Sequence, residues 1–228
     1  MAAGAQTDLD RVLGEMRLHA HPENIVGMAR FGICARHALG ITIPNLRAIA
    51  RRIGRNHALA GQLWETGIFE ARLLAALVAV PDKLSRRQAN SWARDFENWA
   101  DCDGVCLHQL RKTPFAHELA VAWSRRKGEF VKRAGFTLMA TLAVHDKAAP
   151  DSVFRSYLSR VEEEAHDNRN GVKKAVNWAL RQIGKRSASL ETPAIRTAKR
   201  IHRQKTRSAR WIASDALREL ERRRKAKG

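Results

Sequence analysis

Acidic residues are scarce in this 228-residue chain: 23 Asp and Glu stand against 42 Lys and Arg, a formal charge of +19 at pH 7. Self-repulsion on that scale destabilises a compact state, so the shortage of acid points to a polyanionic partner, nucleic acid first. Long hydrophobic runs are also missing. No stretch reaches the roughly 18 apolar residues that a membrane-spanning helix needs, and MAAGAQTDLD has neither the basic start nor the apolar centre of a secretory signal. A cytoplasmic, nucleoid-associated protein is expected. Cysteine is limited to Cys34, Cys102 and Cys106, an odd number that argues against a disulfide framework. Cys102 and Cys106 lie four apart near His108, but the usual fourth ligand is absent from the vicinity, and the pair reads as small buried hydrophobes. Neither a metal nor a cofactor is expected.

Strand signals are almost absent, and what is present has helical period. Thr7 or Asp8 can cap a helix carrying Leu9, Val12, Leu13 and Met16; Pro44 opens another with Leu46, Ile49 and Ile53, which Gly54 stops. Further helices are expected at 57–65, 69–80, 85–96, 101–112, 116–126, 129–144, 151–163, 169–183, 193–203 and 208–223. Their similar lengths and short connections read as antiparallel pairs recurring every 35 to 45 residues or so. The expected fold is therefore all-α, a superhelical solenoid of HEAT-like antiparallel helix pairs with a concave basic groove; a compact bundle is the alternative. VKRAGFTLMATLAV is apolar on most sides and suits a helix with neighbours on two flanks. KRSASLETPAIR is the best linker candidate, yet Thr192 before Pro193 looks more like a helix start. A single domain over 1–220 is expected, with a basic disordered tail at 221–228.

Two places break the pattern. In NGVKKAVNWALRQIGKR the apolar set Val172, Ala175, Val176, Ala179, Leu180 and Ile183 forms one complete stripe. Trp178 is not on it: at about 100° per residue it shares the far side of the wheel with Lys174, Arg181 and Lys185. In FENWADCDGVC, Trp99 falls in a turn after a helix that supplies Ala89, Trp92, Ala93 and Phe96 to a core, and Asp101 and Asp103 follow. An aspartate there is ordinarily a cap, but one turn needs one cap, and Trp99 to Asp103 spans a single helical turn. A third feature is Arg133 inside the apolar central helix, which needs either a carboxylate within the fold or a phosphate outside it. The other tryptophans, Trp64, Trp92, Trp123 and Trp211, fit apolar stripes and read as core.

Together, GITIPNLRAIA, LWETGIFEARLLAAL, FENWADCDGVC, EFVKRAGFTLMATLA, KKAVNWALRQIGKR and RWIASDALREL resemble the AlkD-type DNA alkylation repair family, the HEAT-repeat DNA glycosylases. The resemblance covers roughly residues 30–220, and the order W-x-x-x-D, then Arg, then W-x-x-R is its most specific part. It implies a catalytic cleft of two tryptophans and an aspartate, here Trp99, Trp178 and Asp103, with Arg133 helping to hold DNA. Many relatives carry an acid directly after the first tryptophan, where this chain has Ala100 and places Asp101 one later. A capping Asp103 and a catalytic Asp101 therefore remain the alternative assignment.

The resemblance further implies a substrate of double-stranded DNA carrying bases made cationic by alkylation, such as 3-methyladenine and 7-methylguanine, processed in base excision repair. Such a base departs neutral, so one carboxylate that stabilises the oxocarbenium-like sugar suffices in place of a general acid. Arg47, Lys132, Lys173, Lys174, Arg181, Lys185 and Arg186 are the expected backbone contacts. The protein is expected to act as a monomer. Two rival readings are a relative that binds damaged or branched DNA without cleaving it and a HEAT scaffold for an acidic protein.

Overall fold

The computed structural model describes residues 7–34 and 36–226. They form thirteen α-helices and two short 3₁₀ turns, with no strand among them. No helix of the described residues is long and apolar enough to cross a membrane. The chain divides into two compact units, Met1–Thr113 and Pro114–Gly228.

The first unit holds α1 (Asp8–Leu18), α2 (Pro22–Arg30), α3 (Ile43–Ile53), α4 (His57–Glu65), α5 (Phe69–Val78), α6 (Arg86–Arg94) and α7 (Trp99–His108). Their starts are set by side-chain caps. Thr7 and Asp10 form a capping box on α1, and Thr42, Asn56, Ser85 and Asn98 accept from the first free N–H groups of α3, α4, α6 and α7. Gly54, at φ 71°, ends α3 in a backbone conformation that costs a side-chain-bearing residue 1–2 kcal/mol or so. The buried Glu70 carboxylate, in the first turn of α5, accepts from Leu39, Gly40 and Ile41 at 2.8, 2.7 and 3.3 Å, which binds the approach to α3 onto α5. Trp64 and Trp92 stack at 4.2 Å between centroids, and Trp64 Nε1 donates to Asp95 31 residues on. α2 is a helix that the sequence pattern does not announce; it buries none of its side chains, so no periodic stripe marks it.

The second unit holds α8 (Ala116–Ser124), α9 (Glu129–His145), α10 (Asp151–Glu164), α11 (Asn170–Arg186), α12 (Ala188–His202) and α13 (Arg207–Lys225). α9 lies between α8 and α11, and every residue from Arg133 to Ala143 is buried, as its apolar sequence requires. Cross-links of one sequence separation tie three of these helices to the next but one: Arg133 to Gly171, Arg200 to Glu162 and Asn177 to Asp215, each pair 38 residues apart. This is the repeat expected of HEAT-like pairs.

Two expectations need correcting here. Pro193 does not open a helix; α12 begins at Ala188 and carries the proline inside. Pro193 cannot donate to Ser189 four residues back, and that carbonyl instead accepts from Arg155 Nη2 at 3.3 Å. At the other end α13 runs to Lys225, so residues 221–225 are helical rather than a disordered tail, and 227–228 lie outside the described residues.

Candidate functional site

In the first unit α3, α5 and α7 run side by side in the same direction, since Glu70 joins the starts of α3 and α5 while Arg51, Leu77 and His108 meet at their ends. α7 begins two residues earlier than the sequence pattern suggests, at Trp99, because Asn98 is the N-cap: its Oδ1 accepts from Ala100 and Asp101 N–H at 2.9 and 3.3 Å. Asp101 completes the box from N3. Its carboxylate accepts from the N–H groups of Glu97, Asn98 and Cys102 at 2.9, 3.2 and 2.6 Å, and the residue is only 1% exposed. Burial pushes this carboxyl up to about 6, against the pull of those three N–H groups and of Arg72. Cys102 and Cys106 are buried beside it as core side chains.

Asp103 sits differently. It is half-buried on the side of α7 that the core leaves open, one turn beyond Trp99. Trp99 is 38% exposed, and its Nε1 donates to the Phe31 carbonyl at 2.9 Å, so the indole is pinned by its edge while the residue stays accessible to solvent. Phe31 itself is exposed. The structure keeps Trp99 and Asp103 one helical turn apart, as the sequence spacing indicates, while sequence reasoning missed Asn98 and Phe31, which cap α7 and hold the indole; the Asn98-x-x-Asp101 box is the signal that identifies the first, and nothing local identifies the second.

In the second unit Trp178 is half-buried on α11, and the complete stripe from Val172 to Ile183 lies in the core beneath it. Lys174, one turn earlier, is exposed. Several other expected phosphate contacts are held inside the fold. Arg181 Nη1 and Lys185 Nζ both reach Glu219 at 2.5 Å, and Arg181 also lies 3.7 Å from Asp215. Lys132 is tucked between Glu164 and Asp167 at 2.6 and 3.2 Å. Burial alone would raise Asp167, but the bonds from Arg169 and Lys132 outweigh it and draw its carboxyl down to about 2. Arg186 bonds to Asp151 and three carbonyls and lies 3.9 Å from the Phe154 centroid, which fixes it as a strut.

Arg133 is 6% exposed, and its Nη1 donates to Gly171 O at 2.7 Å while Glu129 accepts from Gly171 N at 3.0 Å. This pair, one turn apart on α9, grips the first turn of α11. Trp211 departs from its expected core position: it is 40% exposed, because Ala209, Ile212, Ala213, Ala216 and Leu220 complete the buried stripe of α13 without it. Lys173 Nζ stands 5.1 Å from its ring. Trp64, Trp92 and Trp123 are core, as their spacing indicates. Arg47 is exposed on α3.

A comparison with curated protein sequences finds no match. A solved structure similar over 95% of each chain, with a TM-score of 0.79 and 21% identity, is described as a member of a new family of proteins related to the HEAT-like repeat DNA glycosylases, with affinity for branched DNA structures. At that identity the likeness establishes the fold, which is all-α and HEAT-like. The sequence profile described as DNA alkylation repair enzyme matches residues 12–220, nearly the whole chain. On that match the chain belongs to the DNA alkylation repair enzyme family.

Proposed function

We propose that this protein is a DNA glycosylase that hydrolyses the N-glycosidic bond of cationic alkylated purines in duplex DNA, with Asp103 as its carboxylate. The observation that carries this reading is the division of labour within α7: Asp101 is consumed as a buried cap, and Asp103 stands half-buried on the open side one turn from a pinned, accessible indole.

The chemistry follows from charge. When the C1′–N bond breaks, its electron pair moves into the cationic base, which leaves neutral, and positive charge develops on the sugar. Water then adds to C1′ and loses a proton. At about 4 Å and an effective dielectric near 20, a carboxylate stabilises a unit positive charge by roughly 4 kcal/mol. If that interaction arises only in the transition state it is worth about a thousandfold in rate. Trp99 offers its ring to the charged nucleotide or its sugar, a contact of about 0.5–2 kcal/mol, and on the second unit Trp178 offers DNA a contact of the same kind. Lys174 contacts backbone phosphate. Arg133 acts through α11 as a positioning residue for Trp178.

The test is release of free 7-methylguanine from methylated duplex by the purified protein. Release that Asp103→Asn abolishes supports the reading; no release by the wild type removes it. The likeness to a protein described as having affinity for branched DNA favours one second reading, a DNA binder that cleaves nothing. That reading expects at least about tenfold tighter binding to a junction than to a duplex, a difference of about 1.4 kcal/mol, without base release.

A further inference from the structure

The first unit carries a second concentration of charge at the opposite end of α7 from Trp99. Where α3, α5 and α7 end together, a surface pocket of about 370 Å³ is lined by Arg47, Arg51, Arg55, Leu77 and His108, among others. Arg47 and Arg51 are one turn apart on α3, and Arg55 follows just beyond Gly54. Arg111 and Lys112 stand close enough to act on His108.

Two of these cations have structural work. Arg55 Nη1 donates to the carbonyls of Leu77 and Ala79 at 3.0 and 2.7 Å, and Arg111 Nε to Leu107 O at 2.6 Å, closing the last turns of α5 and α7. Arg47, Arg51 and Lys112 have no carboxylate partner among the described residues. Burial holds Lys112 below its usual range, and the charges that lower it further are Arg55 and Arg111; His108 is lowered by burial and then by Arg47, Lys112 and Arg111. Every charged neighbour that shifts these two groups is a cation. Elsewhere acids answer the partly buried cations: Glu97 lies 3.9 Å from Arg72, Glu164 and Asp167 hold Lys132, and Glu219 holds Lys185. An unanswered cluster around a cavity leaves the counter-charge to come from outside.

We propose that this pocket is a phosphate-binding site that takes a backbone phosphodiester of a nucleic-acid strand, with Arg47 and Arg51 as its principal donors and His108 as a third. Guanidinium groups match two phosphate oxygens at once, and paired arginines at one helical turn can share one phosphate or hold two neighbours. His108 lies five residues past Asp103 in α7, about 8 Å along the axis at roughly 1.5 Å per residue. At about 3.4 Å per nucleotide along one strand, the phosphate held there is two or three steps from the base presented at Asp103. The choice of nucleic acid as the phosphate's source rests on the DNA reading above; the phosphate chemistry itself does not.

The test uses the full chain, an unmodified 25-base-pair duplex and fluorescence anisotropy at several salt concentrations, with inorganic phosphate as a second probe. Arg47→Ala/Arg51→Ala is expected to lower the slope of log K against log[salt] by about one to two and to weaken binding about 10- to 100-fold at low salt. Lys199→Ala, which removes a cation facing Glu221 on the other unit, is expected to leave the slope unchanged. An unchanged slope in the double variant overturns the proposal, and so does a wild type without salt-sensitive binding. Inorganic phosphate shifting the His108 ring resonances at constant ionic strength, with no change in duplex slope, overturns the nucleic-acid source. Pocket-dependent duplex binding without base release supports the site and removes the glycosylase reading instead. Should the double variant fail to fold, the single variant Arg51→Gln carries the same comparison with an expected slope change near one.

Discussion

Asp101 and Asp103 are two residues apart, and exchanging their roles is the sharpest challenge to the reading of α7. The informative perturbation is therefore a matched pair, Asp103→Asn and Asp101→Asn, each followed by single-turnover release of 7-methylguanine and by denaturant unfolding between pH 4 and pH 7. Removing the charge at 103 forfeits roughly 4 kcal/mol of transition-state stabilisation, so the rate is expected to fall about a thousandfold. The charge at 101 faces three backbone N–H groups rather than the open side, so its loss is expected to leave the folded protein within about tenfold of the wild-type rate. Its signature is instead pH-dependent stability. The carboxyl titrates at about 6 in the fold, with burial as the main cause, whereas an unfolded aspartate titrates near 3.9. A raised folded value means that the protonated form suits the native state. The contribution is complete below about pH 4 and is lost as pH rises through 6, amounting to roughly 3 kcal/mol by pH 7. Wild type is expected to lose that amount relative to Asp101→Asn across the interval. At pH 4 the variant is the weaker, by about 1–3 kcal/mol, because an amide cannot accept from all three N–H groups. The assignment is refuted if Asp103→Asn keeps more than a tenth of the wild-type rate, or if folded Asp101→Asn shows the thousandfold loss.

Three further outcomes are expected. A Cβ on Gly135 would lie 2.3 Å from Ser124 N and 2.9 Å from Ala120 O, so Gly135→Ala is expected to cost about 3 kcal/mol; Gly61→Ala, where nothing lies within 4 Å, is expected to add about 0.5–1 kcal/mol, both read from unfolding midpoints. Glu70→Ala leaves three N–H groups at the entry to α3 without their acceptor and is expected to cost about 3 kcal/mol in the same measurement. Lys174→Ala should reduce the salt slope of duplex binding by about 0.9, while Lys185→Ala leaves it unchanged because Glu219 already answers that charge; equal effects would show that the pairing breaks on binding.

What could be read from the sequence was whatever a single helix decides for itself. The stripe of α11, the two-flanked burial of α9 and the stop at Gly54 all follow from local period and backbone chemistry. α2 escaped because it buries nothing, and the start of α12 because a proline that usually opens a helix is tolerated inside one once Arg155 answers the freed carbonyl. The site divides in the same way. The one-turn spacing of Trp99 and Asp103 could be read because α7 alone sets it, whereas the capping role of Asp101 could not be read until Asn98 was seen to begin that helix. Charge is the least legible quantity of all. Arg181, Lys185 and Lys132 have the composition of phosphate contacts, and only a repeat that brings Glu219, Glu164 and Asp167 to them from 32 to 38 residues away neutralises them. Arg47 and Arg51 look no different in the sequence, yet α5 and α7 bring them no acid at all. An excess of cations therefore predicts that a polyanion binds, while the supply of acids across the repeat determines where it binds.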